Sequence, residues 1–316
     1  MDALSELVRL ARLDAKLDLR CQFADGFSVD HEPAPPREIV FHVALAGRCV
    51  LEVEGMAPIM VEAGDFVALP TARTHCVRSA SGIDNGHRLA TLGDGSLPVR
   101  RSAEGEIELD LLCGRFTYDS SAVDTLFEAL PRVLHVSLSD VTSTLDLRQI
   151  IALIRSEVES GTCGSSVIVA SLSTVLFTFA MRISSRLEGL SPGLLRLIGD
   201  RRLARATQAI LGDPGRDWSL KQLAELSAMS RATFARRFTE AAAMSPGALL
   251  LTVRMARAAD MLVRTRRSVA DIGAEVGYQS EAAFVRAFRR ATSMSPSAFR
   301  KDDGEALMPA DSLTSA

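Results

Sequence analysis

Residues 219–238 read SLKQLAELSAMSRATFARRF, and residues 268–288 read SVADIGAEVGYQSEAAFVRAF. Ser230, Phe234, Arg236 and Phe238 of the first stretch return fifty residues later as Ser280, Phe284, Arg286 and Phe288. Both copies run on to the same three letters, MSP, at Met244 and at Met294. A self-similar segment of this size is one supersecondary unit made twice.

The punctuation predicts two short helices in each unit. Ser219 with Gln222, and Ser268 with Asp271, fit the capping pattern that satisfies free N–H groups at a helix start. Ser230 and Ser280 cap the second helix of each pair. A turn of three or four residues lies between; it contains Gly277 in the second copy, whereas the first turn, SAM, has no glycine. Phe234/Phe238 and Phe284/Phe288 stand at i, i+4 and predict the buried stripe. Arg231, Ala232, Thr233, Arg236 and Arg237 are then left facing outward, as are Glu281, Ala282, Ala283, Arg286 and Arg289. Ser245-Pro246 and Ser295-Pro296 start a third helix with proline in its first turn. This is a helix-turn-helix, doubled.

Charge agrees with that reading. Residues 194–300 carry 18 Lys/Arg against 9 Asp/Glu, while residues 1–193 carry 17 against 26. A basic block behind an acidic one assigns contact with a polyanion to the C-terminal part. Seventeen of the 18 cations are arginine, suited to bidentate contact with phosphate or guanine.

The residues from about 196 to 301 resemble the AraC/XylS family of bacterial transcription regulators, most closely through DIGAEVGYQSEAAFVRAFRRATSMSPSAFR. The resemblance implies two helix-turn-helix units joined by a long helix, here around Leu249–Arg264. Their recognition helices would enter adjacent major grooves about 34 Å apart. Arg236, Arg237 and Arg286 are then candidates for base or phosphate contacts, and Arg257, Arg264, Arg266 and Arg267 for solvated or phosphate-facing positions. Glu281 departs from a basic pattern: it would accept from a cytosine amino group or weaken docking of the second unit.

The acidic part reads differently. EIVFHVALAG, CVLEVEG and MAPIMVEAGDFVALPTARTHCV, between Glu38 and Val77, are short β-rich runs broken by Gly and Pro, which suggests a small barrel. GDFVALPTARTH, from Gly64 to His75, resembles the second cupin motif, and the family often carries a cupin-like sensor. Leu145–Glu159 and Val167–Leu187 read as amphipathic or buried helices, which the resemblance implies pair with a second subunit in a homodimer. The expected fold class is α+β: a cupin-like sensor and dimerisation domain over 1–190, a linker at Leu190–Gly193, a DNA-binding domain over 194–301 and a disordered tail over 302–316.

A catalytic cupin holds a metal through three histidines and a carboxylate. Here His75 fits the motif and His42 supplies one further ligand at most, because the residue two positions on is Ala44. His31 and His87 sit in loop-like sequence without ligand spacing. No metal, no cofactor and no catalytic residue is therefore expected, and His42 and His75 read as polar residues lining the barrel. Arg100–Arg101 reads as a solvated loop pair.

The five cysteines are odd in number and never spaced as CxxC, which argues against a disulfide framework or a zinc finger. Cys21 and Cys113 resemble positions in an oxidant-sensing branch of cupin-bearing regulators. Cys76, beside His75, would border the pocket, with a histidine or Arg78 lowering its pKa. These three are the candidate redox residues. The start, MDALSELVRLARLDAKLDLR, is not a signal peptide, and Val167–Met181 is too short and polar to span a bilayer. The expectation is a cytoplasmic, sequence-specific regulator of promoter DNA, an activator that by family resemblance contacts RNA polymerase. Its effector is a small molecule or an oxidant, and no membrane is involved. A cupin metalloenzyme fused to a DNA-binding domain and a non-specific architectural DNA binder are the alternatives.

Overall fold

A computed structural model describes residues 2–71, 74–86, 89–92, 97–118, 124, 126–127, 130–137, 144–186 and 192–306. The chain forms two compact units. One draws on Leu13–Tyr118 and Leu130–Leu190, the other on Met1–Arg12, Asp119–Ala129 and Ser191–Ala316.

The first unit is a β structure flanked by two helices. Its strands are β1 (Asp14–Ala24), β2 (Ser28–His31), β3 (Glu38–Ala46), β4 (Arg48–Val53), β5 (Ile59–Glu62), β6 (Phe66–Leu69), β7 (His75–Ser79), β8 (Leu89–Leu92), β9 (Val99–Ser102), β10 (Ile107–Thr117) and β11 (Leu134–Val136). Seven form a sheet in the order β11-β6-β3-β10-β1-β9-β8, and four form another in the order β2-β7-β4-β5. Side chains from both sheets meet in one core that includes Phe23, Val29, Ala44, Leu51, Val67, Val77, Leu109 and Leu111. Alternation along β4 and β7 sends every second residue into that core, as a half-buried strand requires.

Helices α2 (Thr144–Ser160) and α3 (Ser165–Ser184) pack on one another, and α3 also lies against β1 and β11. At 20 residues α3 is longer than its apolar run suggests, and by length and composition alone it would suffice to cross a membrane. One face of it packs inward: Val169, Leu176, Phe177, Ala180 and Met181 are buried, with Phe177 against Phe116. Ser171, Ser173, Thr174 and Thr178 donate to the carbonyl four residues back, which is how a helix interior tolerates hydroxyls. Val167 remains 69% exposed, and Ile168 and Val175 about 40%.

The second unit is helical: α1 (Ala3–Ala11), α4 (Leu194–Gly199), α5 (Leu203–Gly212), α6 (Leu220–Leu226), α7 (Arg231–Ala242), α8 (Pro246–Arg264), α9 (Val269–Glu275), α10 (Glu281–Thr292) and α11 (Pro296–Ala306). Two sequence boundaries shift. The first twelve residues belong here and not with the barrel: α1 buries Leu4, Leu7 and Leu10 and packs on α5. Arg12 then places its guanidinium 2.6 Å from Asp260. The expected disordered tail from 302 begins inside α11, which runs to Ala306; residues 307–316 lie outside the described residues, as do residues 190 and 191 of the expected linker. Gly193 is tied to this unit through its N–H, which donates to the Ala241 carbonyl at 2.8 Å.

The predicted caps form. Ser219 and Gln222 make a reciprocal capping box. Ser230, Ser245, Ser268 and Ser280 each accept from the N–H three residues on. Both turns use a left-handed step, at Gly277 with φ +90° and at Ala228 with φ +50°. Left-handed backbone costs an L-residue roughly 1–2 kcal/mol, so the first turn carries strain that the second avoids. A Cβ at Gly277 would lie 2.4 Å from the Gly215 carbonyl oxygen and 2.7 Å from Arg254 Nη2. Ala228→Gly is expected to raise stability by about 0.5–1 kcal/mol, and Gly277→Ala to lower it by about 1–2 kcal/mol or more. Thermal unfolding followed by circular dichroism checks both signs.

Candidate functional site

In the helical unit, α7 and α10 are the second helices of the two repeats. Phe234, Phe238, Phe284 and Phe288 are fully buried, with ring centroids 5.5 and 5.7 Å apart within each pair. With that face committed to the core, Arg231, Ala232, Arg236, Arg237, Glu281, Ala282, Arg286 and Arg289 are exposed, and Thr233 and Ala283 are half-buried. The ten candidate residues thus share the outward side of two equivalent helices. They are not equally free. Arg236 donates to Glu240 at 2.9 Å, one turn further along α7.

Several other arginines serve the scaffold. Arg254 donates to the carbonyls of Pro214 and Arg216 at 2.7 and 3.0 Å, fixing the approach to α6. Arg300 does the same before α9, donating to Leu262 and Arg267 at 3.0 and 2.7 Å. Arg257 and Arg267 lie 3.9 and 3.6 Å from the Glu275 carboxylate, and Arg264 is 3.2 Å from Asp260. Part of the basic charge counted in the sequence is therefore spent inside the unit. Composition does not distinguish these cations from those on α7 and α10.

The barrel unit holds a second cluster, of thiols and imidazoles. Cys21 on β1 and Cys113 on β10 are buried with their sulfurs 3.8 Å apart. Cys113 sits opposite His42 in the β10–β3 register, and its sulfur is 3.2 Å from His42 Nδ1. His42 Nε2 in turn lies 3.1 Å from His75 Nε2. His31 completes the group. It ends β2, pairs directly with His75 on β7, and stacks on that ring at 4.5 Å with the planes 1° apart.

The loop-like assignment of His31 is thus corrected. It is a strand residue, placed by non-local pairing that spacing along the chain does not reveal. His87 lies outside the described residues.

Burial disfavours the charged forms of His31, His42, Cys113 and Cys49. Burial, reinforced by His75 and Arg100, brings the His31 pKa down to about 4. Burial and the two neighbouring rings hold His42 well below its ordinary value. The hydrogen bond with Cys21, together with burial, raises Cys113 well above the ordinary thiol range. Cys49, in the same core, is pushed up to about 12 by burial and by the Asp65 charge.

Cys76 departs from expectation. On β7 it alternates with buried His75 and Val77 and points away from them, toward the Ser28 hydroxyl at 3.4 Å. Burial raises its pKa, and Arg78 is engaged by Glu52. Arg100 and Arg101 are likewise on a strand, β9, paired to β1 and β8.

A cupin profile matches residues 2–184, and a helix-turn-helix profile matches residues 223–302. An HTH-type transcriptional regulator of Haemophilus influenzae is 32% identical over 279 residues, 88% of this chain and 91% of that protein. The chain belongs to the AraC family of transcriptional regulators. The HTH-type transcriptional regulator MtrA of Neisseria gonorrhoeae is 28% identical over 96% of this chain and all of its own length. RclR of Escherichia coli, an RCS-specific HTH-type transcriptional activator, is 27% identical over 88% of this chain and 89% of its own.

The helical unit of this AraC-family chain is accordingly a DNA-binding domain, and the protein is a regulator rather than an enzyme. Its cupin domain departs from a catalytic ligand set. Ala44 stands where a second histidine of the first motif would be, and the His31–His42–His75 group includes no carboxylate. Three imidazoles do fit a transition-metal ion, a point separate from catalysis.

Proposed function

We propose that this regulator reads promoter DNA through α7 and α10 and is controlled by oxidation of the Cys21–Cys113 pair. The observation that carries the reading is the two buried thiols 3.8 Å apart on adjacent strands. An oxidant that accepts two electrons takes them from these thiols; two protons leave and an S–S bond forms. Cys21 pairs with Leu111 and Cys113 with Leu19, so the two thiols are diagonal neighbours, and closing the bond to about 2.05 Å would draw β1 and β10 together.

The barrel interior supports this signal over an organic effector. Ala44, Leu51, Val67, Leu69, Leu109 and Leu111 fill it, each at most 2% exposed. The activator name of the Escherichia coli relative supports the sign of regulation; contact with RNA polymerase is what activation would imply. The setting is cytoplasmic. Oxidation would shift the balance between arrangements of the protein that differ in DNA affinity. Cys76, turned away from the cluster, has no part in this reading.

The test is binding of genomic fragments by purified protein at fixed salt, with and without mild oxidant. Enrichment of a few fragments that changes with oxidant, and a loss of that change in Cys21→Ser and Cys113→Ser, is the expected result. Both variants responding like the wild type would remove these cysteines as the sensor and turn the search to an organic ligand.

Specificity has its own check. Arg286→Ala is expected to cost about 1–3 kcal/mol on the preferred site and to relax one base position. An equal loss on every sequence would instead indicate phosphate contact, as in an architectural binder.

The homodimer assigned to α2 and α3 rests on the exposed Val167, Ile168 and Val175 of α3. Val167→Glu with Val175→Glu should convert a dimer to monomer in sedimentation velocity. An unchanged sedimentation coefficient would place the interface elsewhere.

A further inference from the structure

The imidazoles of the barrel form a convergent set. His31 and His75 come from neighbouring strands of the four-stranded sheet, and His42 comes from β3 of the seven-stranded sheet. One ring nitrogen from each lies within 4.8 Å of the others. His42 and His75 turn their Nε2 atoms toward each other at 3.1 Å. Two nitrogens bound to one tetrahedral ion at about 2.0–2.1 Å stand about 3.3 Å apart, so this spacing is already that of a ligand pair.

The far side of His42 has the support that metal-bound histidines have. A ligating imidazole almost always engages its other nitrogen, which fixes ring orientation and tautomer. Here Nδ1 is 3.2 Å from the Cys113 sulfur. His42 and His75 are buried, and His31 is partly exposed, leaving one side open for entry. With three imidazoles and no carboxylate, the donors suit Zn2+, Cu2+, Ni2+ or Co2+ and not the oxygen-seeking Mg2+ or Ca2+.

We propose that His31, His42 and His75 bind one first-row divalent transition metal, Zn2+ by ligand class, which ties the two sheets of the barrel together. The third ligand comes from β2, outside both cupin motifs. The site stands on geometry alone and does not depend on the thiol reading above.

The experiment uses full-length protein stripped with chelator and titrated with Co2+, followed by its visible absorption and then by displacement with Zn2+. Wild type is expected to take up one equivalent in a tetrahedral nitrogen environment. His31→Gln, the least buried of the three, should weaken binding by about tenfold or more. His42→Gln with His75→Gln should abolish it, and Cys76→Ser, whose thiol points away from the three rings, should leave it intact. Circular dichroism establishes that each variant is folded; if the double histidine variant is not, His31→Gln decides. Three results would overturn the proposal. They are no stoichiometric uptake by wild type, unchanged uptake in folded His31→Gln, and loss of uptake in the cysteine variant.

Discussion

Burial of four phenylalanines governs the helical unit. Phe234, Phe238, Phe284 and Phe288 are fully enclosed, two on α7 and two on α10. Truncating such a residue costs about 3–5 kcal/mol, a large share of the roughly 5–15 kcal/mol that holds a domain together. Neither helix can therefore rotate about its axis without forfeiting much of the fold. The exposed arginines owe their direction to that constraint, since they occupy the only face the phenylalanines leave. Arg254 and Arg300 add a second restraint by fixing the segments that lead into α6 and α9.

The barrel follows a different logic. Its interior is made by pairing strands far apart in sequence, and its chemistry comes from what the registers bring together. Cys113 meets His42 across β10 and β3, and His31 meets His75 across β2 and β7. Four of these groups, with Cys21, form a continuous chain of contacts from β1 to β2 through both sheets. A change at one end alters the hydrogen-bonding partner available to the next.

How much could be read in advance depended on how local the signal was. Helix caps and the i, i+4 phenylalanine spacing act within one turn, so both repeats and the outward residues were readable from the letters. Cys21 and Cys113 were singled out through family resemblance, and only strand register shows that their sulfurs touch. His31 was missed because a four-residue strand looks like a loop until its partner is known, and that partner lies 44 residues away. Cys76 was misplaced for a related reason: adjacent strand residues face opposite ways, so its neighbour His75 entering the core sends Cys76 out. The fate of α1 was unreadable, because an amphipathic helix declares that it needs a partner without saying which.

That last helix has a consequence for how the chain is made. α1 is synthesised about 190 residues before α5, the surface that buries Leu4, Leu7 and Leu10. At roughly 5–20 residues per second, its apolar face waits on the order of ten to forty seconds for that surface to emerge. During translation this face is available to chaperones or to other nascent chains. The helical unit is finished only when Ala3–Ala11 meets Leu203–Gly212.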